Sequence, residues 1–245
     1  MESFIPRIGG KRLLRKQILA RFPSENQRYV EVFGGAGWLL FSRERHAPEE
    51  IYNDIDGELV NMFRCVKFHC EELQRQMAWM LNSREIFEDA LALKAVRGLT
   101  DIQRAALYFI VAKQSYGADG CTYGAAPKNM DQVVQYLSKI SERLRRVKIE
   151  RQSYDRLIPR MDIEGAFFYL DPPYYDSGFG EPDHECLNSI LKGVKGRFLL
   201  SYNDDDYVRQ LYRNFKIEQI DRSSNLAMRY SNRPKRYNEL LISNY

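Results

Sequence analysis

"AFFYLDPPYYDSGFG", residues 166–180, decides the fold. Its first five residues are mostly large and apolar, the mark of a buried strand. The run stops in Asp171, Pro172, Pro173 and Tyr174. A surface turn can use Asp-Pro, but needs no buried strand ahead of it. Pro172 precedes a proline and is held extended, so its carbonyl is aimed. Asp171 and that carbonyl make two fixed acceptors, with the flat face of Tyr174 beside them. In open α/β sheets, ligands gather beyond the carboxyl ends of the strands.

Earlier in the chain, "YVEVF" (29–33) reads as another strand, and it runs into "GGAG". Phe33, Gly34, Gly35 and Gly37 would form a tight turn that a ligand can approach without meeting Cβ atoms. "EIYN" (50–53) is a further strand, and Asp54 follows it about 20 residues after the glycines, where an acid suits ribose hydroxyls. "KRLLRKQILARF" (11–22) and "WLLFSRER" (38–45) read as helices. From about 57 to 150 the pattern is helical. One long stretch covers 58–81, a capping-box helix opens at Thr100 with Gln103, and a third helix covers 131–144. "SYGADGCTYGAAPKN" (115–129) has turn composition and reads as a loop or hairpin. Strand signals return at 166–170, 197–202, 216–220 and 239–245, with helices at 182–193 and 205–215 between them. The expected fold is α/β, a Rossmann-like sheet. Residues 1–56 and 156–245 form the catalytic domain, and 57–155 a helical insertion.

The chain's 245 residues, 44% hydrophobic and 29% charged, suffice for a large core. The net charge of +4 is unevenly placed: residues 1–28 hold seven Lys or Arg, 143–151 hold five, and 222–238 hold five with no acid. Such clusters, interleaved with Tyr, Ser and Asn, suit a phosphate backbone, though each alone also fits a solvated face. The four cysteines and three histidines lack metal-ligand spacing, so no metal is expected and the thiols fit a reducing cytoplasm. No membrane span or signal peptide is expected.

Two fixed acceptors beside an aromatic face match the NH₂ group of an aminopurine or aminopyrimidine. Such an amine is a poor nucleophile because its lone pair is conjugated with the ring. Accepting both N–H bonds out of the ring plane favours pyramidal nitrogen and concentrates the lone pair, which is preorganisation aimed at the transition state.

"GGK" (9–11), "VEVFGGAG" (30–37), "NDID" (53–56), "LDPPYY" (170–175) and the tail "RSSN…NELLISNY" resemble the Dam-type DNA adenine-N6 methyltransferases, in motif order and across nearly the whole chain. The resemblance implies S-adenosylmethionine as methyl donor, with Arg7, Lys11, Asp54 and Asp171 as contacts and the 33–37 turn beneath the methionine part. Arg7 stands where the family usually has Trp. Asp171, Pro172, Pro173 and Tyr174 fall on the catalytic motif. The DNA-reading loop corresponds to 115–129, with Lys113, Tyr116, Asp119, Thr122 and Lys128 as candidate contacts. "SYGADG" departs from the usual Asn-Gly version, which leaves the target sequence open. Arg222, Ser224, Asn225, Arg233, Lys235 and Arg236 match a segment that meets DNA or the flipped base in relatives.

The implied partner is double-stranded DNA, with the target base extruded. A cognate restriction endonuclease, a monomeric state and a bacterial, archaeal or phage-infected cytoplasm go with that reading. Cytosine-N4 methylation, methylation of RNA or of protein glutamine, and a catalytically silent DNA-binding relative are the alternatives. Ser often replaces the first Asp in cytosine-N4 enzymes, so Asp171 favours adenine.

Overall fold

The computed structural model describes residues 1–7, 9–78, 80, 82–125, 129–174, 182–222 and 237–245; of residues 221, 222 and 237 only the backbone is described. The fold is mixed α/β with a seven-stranded sheet in the order β3-β2-β1-β4-β5-β7-β6. The strands are β1 (Arg28–Glu31), β2 (Glu49–Asn53), β3 (Val147–Glu150), β4 (Ala166–Leu170), β5 (Arg197–Asn203), β6 (Lys216–Arg222) and β7 (Tyr237–Ser243). β4 lies parallel to β1 on one side and to β5 on the other, whereas β7 runs antiparallel to both β5 and β6. The chain order turns back between β1 and β4. Ligands of α/β sheets bind at the carboxyl ends of the strands at such a point, and residues 32–34 and 171–174 leave the sheet there.

The chain divides into two compact units. One comprises Lys11–Gly34, Arg45–Ile51 and Gln152–Tyr245. All five residues of β4 are buried, as the apolar run requires. Phe168 and Leu170 point to one face with Val30, Val32, Phe198, Leu200 and Leu240. There they pack with Leu157 and Ile158 of α7 (Tyr154–Met161), Leu187 and Leu191 of α8 (His184–Lys192) and Val208 of α9 (Asp206–Leu211). Phe167 points to the opposite face and meets Phe22 edge-on, with ring centroids 4.7 Å apart.

The other unit comprises Met1–Gly10, Gly35–Glu44 and Tyr52–Arg151. It holds α2 (Gly57–Phe68), α3 (Cys70–Met77), α4 (Arg84–Leu93), α5 (Asp101–Gln114) and α6 (Met130–Leu144). Tyr52 stacks on Phe63 at 4.0 Å, and Phe4 meets both Phe41 and Phe63 edge-on. The predicted capping box is present: Thr100 Oγ1 accepts from the Gln103 N–H and Gln103 Oε1 from the Thr100 N–H. Thr100→Ala is expected to cost about 1 kcal/mol, read as a lower urea midpoint.

Several elements depart from the sequence expectation. The helix expected at 38–45 is a single 3-10 turn, Leu40–Ser42, ended by extended backbone at Arg43. Leu39, Leu40 and Phe41 are buried all the same, and burial does not require a helix. The long helix expected over 58–81 breaks at His69, whose φ of −134° and ψ of 34° leave the helical region. The helix read over 11–22 is α-helical only from Arg15 to Leu19, although Leu14, Ile18 and Phe22 are all buried as its stripe predicts. β3, α4 and α7 carried no strong sequence signal. Among the described residues no helix is long and apolar enough to cross a membrane, and no group of His, Cys, Asp and Glu could hold a metal ion.

Candidate active site

At the end of β4, Asp171 is about one-fifth exposed and its two carboxylate oxygens differ sharply. Oδ1 receives the Lys11 ammonium at 2.8 Å and the Ser201 hydroxyl at 3.0 Å. Oδ2 accepts nothing from the described residues, and no described donor meets the Pro172 carbonyl.

Lys11 is 95% buried. Besides Asp171 it donates to the Tyr174 hydroxyl, lies 4.7 Å from that ring's centroid and sits 3.4 Å from Glu239 Oε2 on β7. Burial works against its charge, but Asp171, Glu239 and Tyr169 overcome that and hold its pKa well above the usual lysine value. Ser201, buried on β5, also lies 3.1 Å from the Tyr169 hydroxyl. Tyr174 stacks on Tyr202 with centroids 5.1 Å apart. The Tyr202 hydroxyl lies 2.8 Å from His184 Nδ1 and 3.4 Å from the Pro173 carbonyl oxygen. Phe33 and Tyr174 both pack against the core of this unit.

In the other unit, Gly35 and Gly37 take φ values of +50° and +67°, which side chains with a Cβ rarely adopt. A Cβ on Gly37 would lie 2.9 Å from the Phe41 ring, whereas one on Gly35 would meet only the Arg7 stem at 3.9 Å. Both backbone groups of Gly35 are fixed: its N–H donates to Asp54 Oδ2 at 2.8 Å, and its carbonyl accepts from the Tyr52 hydroxyl at 2.6 Å. Asp54 Oδ1 accepts from the Asp56 N–H at 2.9 Å. The Arg7 guanidinium pairs with Asp56 at 3.0 Å and lies 3.5 Å from the Tyr108 hydroxyl. Arg7 thus balances the acids beside the glycine turn. Ile55, between the two acids, is 64% exposed, an apolar surface that the sequence reading did not single out.

The loop after α5 closes as a small hairpin. Ser115 bridges Tyr123, the Tyr116 N–H donates to the Thr122 carbonyl and the Gly124 N–H to the Gln114 carbonyl. Tyr116 stands 72% exposed at its edge. Asp119 turns one oxygen inward onto the N–H groups of Cys121 and Thr122, which pull its pKa down to about 2. The Lys113 ammonium lies 5.6 Å from the Phe109 ring centroid. In the 143–151 cluster, Arg143 is a strut that donates to the carbonyls of Arg43 and Leu40. The Arg151 guanidinium packs on Gly57, where a Cβ would come within 2.7 Å of it. Arg222 ends β6 opposite Tyr237. Lys128, Ser224, Asn225, Arg233, Lys235 and Arg236 lie outside the described residues.

The family described as D12 class N6 adenine-specific DNA methyltransferase matches residues 8–226. The chain belongs to this family. The methyltransferase is 26% identical over 285 residues to the type II methyltransferase M1.LlaDCHI of Lactococcus lactis subsp. cremoris, covering 100% of this chain and 96% of that protein. It is 24% identical over 244 residues to the retron Ec67 DNA adenine methylase of Escherichia coli, covering 88% and 82% respectively. Among solved structures it is similar to a precorrin 8w decarboxylase of Methanobacterium thermoautotrophicum, with a TM-score of 0.43 and 11% identity, over 98% of this chain and 93% of that one. The enzyme is an adenine-specific DNA methyltransferase, and the adenine reading made from Asp171 agrees with the family.

Proposed function

We propose that the methyltransferase transfers a methyl group from S-adenosylmethionine to the N6 amine of an adenine extruded from double-stranded DNA at a specific site. The observation that carries this reading is the acceptor left open at the end of β4: Asp171, one-fifth exposed, has its Oδ1 taken by Lys11 and Ser201 and its Oδ2 by no described residue. The glycine turn fits the methyl donor, because Gly35 leaves open the space a Cβ would take and Asp54 stands beside it. When bound, that cofactor supplies an electrophilic methyl group on a sulfonium.

The chain's own residues do the rest. Asp171 and Pro172 hold the two amine hydrogens and orient the lone pair. Tyr174 supports the extruded base by stacking, a contact worth about 1–3 kcal/mol. After transfer the nitrogen is acidic, and its proton leaves to Asp171 or to water. Arg7, the 33–37 turn and Asp54 form the cofactor side.

Residues 57–155 act as the target-recognition insertion, with the 115–125 hairpin and its exposed Tyr116 reading or filling the vacated site. The basic residues at 222–236 grip the backbone. The enzyme acts as a monomer in the cytoplasm of its host, and the similarity to a type II methyltransferase supports a cognate restriction endonuclease as partner.

The test is to express the chain in cells that lack adenine methylation and to sequence their DNA with a method that detects modified bases. N6-methyladenine at one recurring short sequence is expected. N4-methylcytosine, or no modification from a folded chain, would overturn the reading.

A further inference from the structure

We infer that Lys11, Ser201 and Glu239 form a positioning set that pins one oxygen of Asp171 and thereby presents the other to the target amine. Lys11 then serves the catalytic carboxylate rather than the methyl donor. This rests on the reading of Asp171 as acceptor for that amine.

A free carboxylate can rotate and offer either oxygen, and a rotating acceptor must be ordered again in each turnover. Here two donors from different elements converge on Oδ1: the ammonium of Lys11 at 2.8 Å and the hydroxyl of Ser201, on the neighbouring strand β5, at 3.0 Å. Two donors on one oxygen fix the carboxylate plane. Oδ2 accepts from no described residue, and the side chain is one-fifth exposed.

Lys11 is itself held. It is 95% buried, Glu239 on β7 faces it at 3.4 Å, and the Tyr174 hydroxyl accepts from it. A buried ammonium facing two carboxylates keeps its charge, so the anchor does not let go by losing a proton. The same ammonium ties the Tyr174 ring to Asp171, so one group registers the amine acceptor and the base platform together. With its donors turned to Asp171 and Tyr174, Lys11 is poorly placed to serve a cofactor.

The experiment measures single-turnover methylation of duplex DNA at saturating enzyme and S-adenosylmethionine, with calorimetry of S-adenosylhomocysteine binding, on wild type, Ser201→Ala, Lys11→Met and Asp171→Asn. Ser201→Ala deletes one oxygen from a buried strand. It is expected to slow methyl transfer about tenfold, with cofactor-product affinity within about twofold. Lys11→Met keeps the stem and is expected to slow it about 100-fold, again with affinity nearly unchanged. If Lys11→Met does not fold, Ser201→Ala carries the test. The inference is overturned if Asp171→Asn is inactive while Ser201→Ala transfers at the wild-type rate. It is equally overturned if Lys11→Met loses its affinity and recovers its full rate at high cofactor. An Asp171→Asn enzyme at the wild-type rate would instead sink the acceptor reading itself.

Discussion

Asp171→Asn is expected to bind DNA like the wild type and to transfer methyl groups about 100- to 1,000-fold more slowly in a single turnover. The change keeps the size of the side chain, so β4 and its turn remain. It replaces two acceptor oxygens by one acceptor and one donor. The amide oxygen will settle where Oδ1 now lies, because the Lys11 ammonium and the Ser201 hydroxyl both point there. That choice turns the amide NH₂ towards the target amine and sets donor against donor. The lost anion also removes the charge that favours the nitrogen as it becomes positive. Calorimetry with DNA checks the first half of the expectation and rapid-quench methylation the second. A near-normal rate would show that the acid merely ends a strand.

Asp54→Ala is expected to weaken cofactor binding by about 1.5–3 kcal/mol, roughly one to two decades in affinity. The rate at saturating cofactor should change little. Part of this loss is direct, since an acceptor beside the glycine turn disappears. The rest comes from the turn. Asp54 accepts from the N–H groups of Gly35 and Asp56, and without it Gly35 keeps only the Tyr52 hydroxyl on its carbonyl. Calorimetry that finds unchanged affinity in a folded variant would remove Asp54 from the cofactor site.

The sequence made legible the features in which a residue type answers to a single cause. The apolar run of β4 asks for a strand covered on both faces, and the Thr100–Gln103 pair could be read as a helix start without any tertiary knowledge. The glycines at 35 and 37 signalled a turn, and both take positive φ. What stayed hidden depends on partners distant in the chain. β3 reads as part of a basic cluster because its neighbours are arginines, yet Val147 is fully buried. "WLLFSRER" promised a helix, but Leu40 and Phe41 find their burial in a 3-10 turn.

The site divides in the same way. The acid and the diproline announce themselves. Ser201 and Glu239 do not, because a serine in "RFLLSYN" or a glutamate in "NELLISNY" gains meaning only when β5 and β7 lie beside β4. The signal that could have found them is a polar residue within an otherwise apolar strand. Lys11 was legible as important, but its neighbours were not.

The pairing of Lys11 with Glu239 also bears on the order in which the chain can be completed. The two residues are separated by more than two hundred positions, and β7, which carries Glu239, inserts between β5 and β6. During synthesis, Lys11 leaves the ribosome long before β4 and β7 exist to receive its charge. An ammonium buried without its carboxylates is costly by several kcal/mol, so the segment around Lys11 is expected to dock only once β4 and β7 are both present. A chain that stops before β7 is therefore expected to lack a settled catalytic carboxylate.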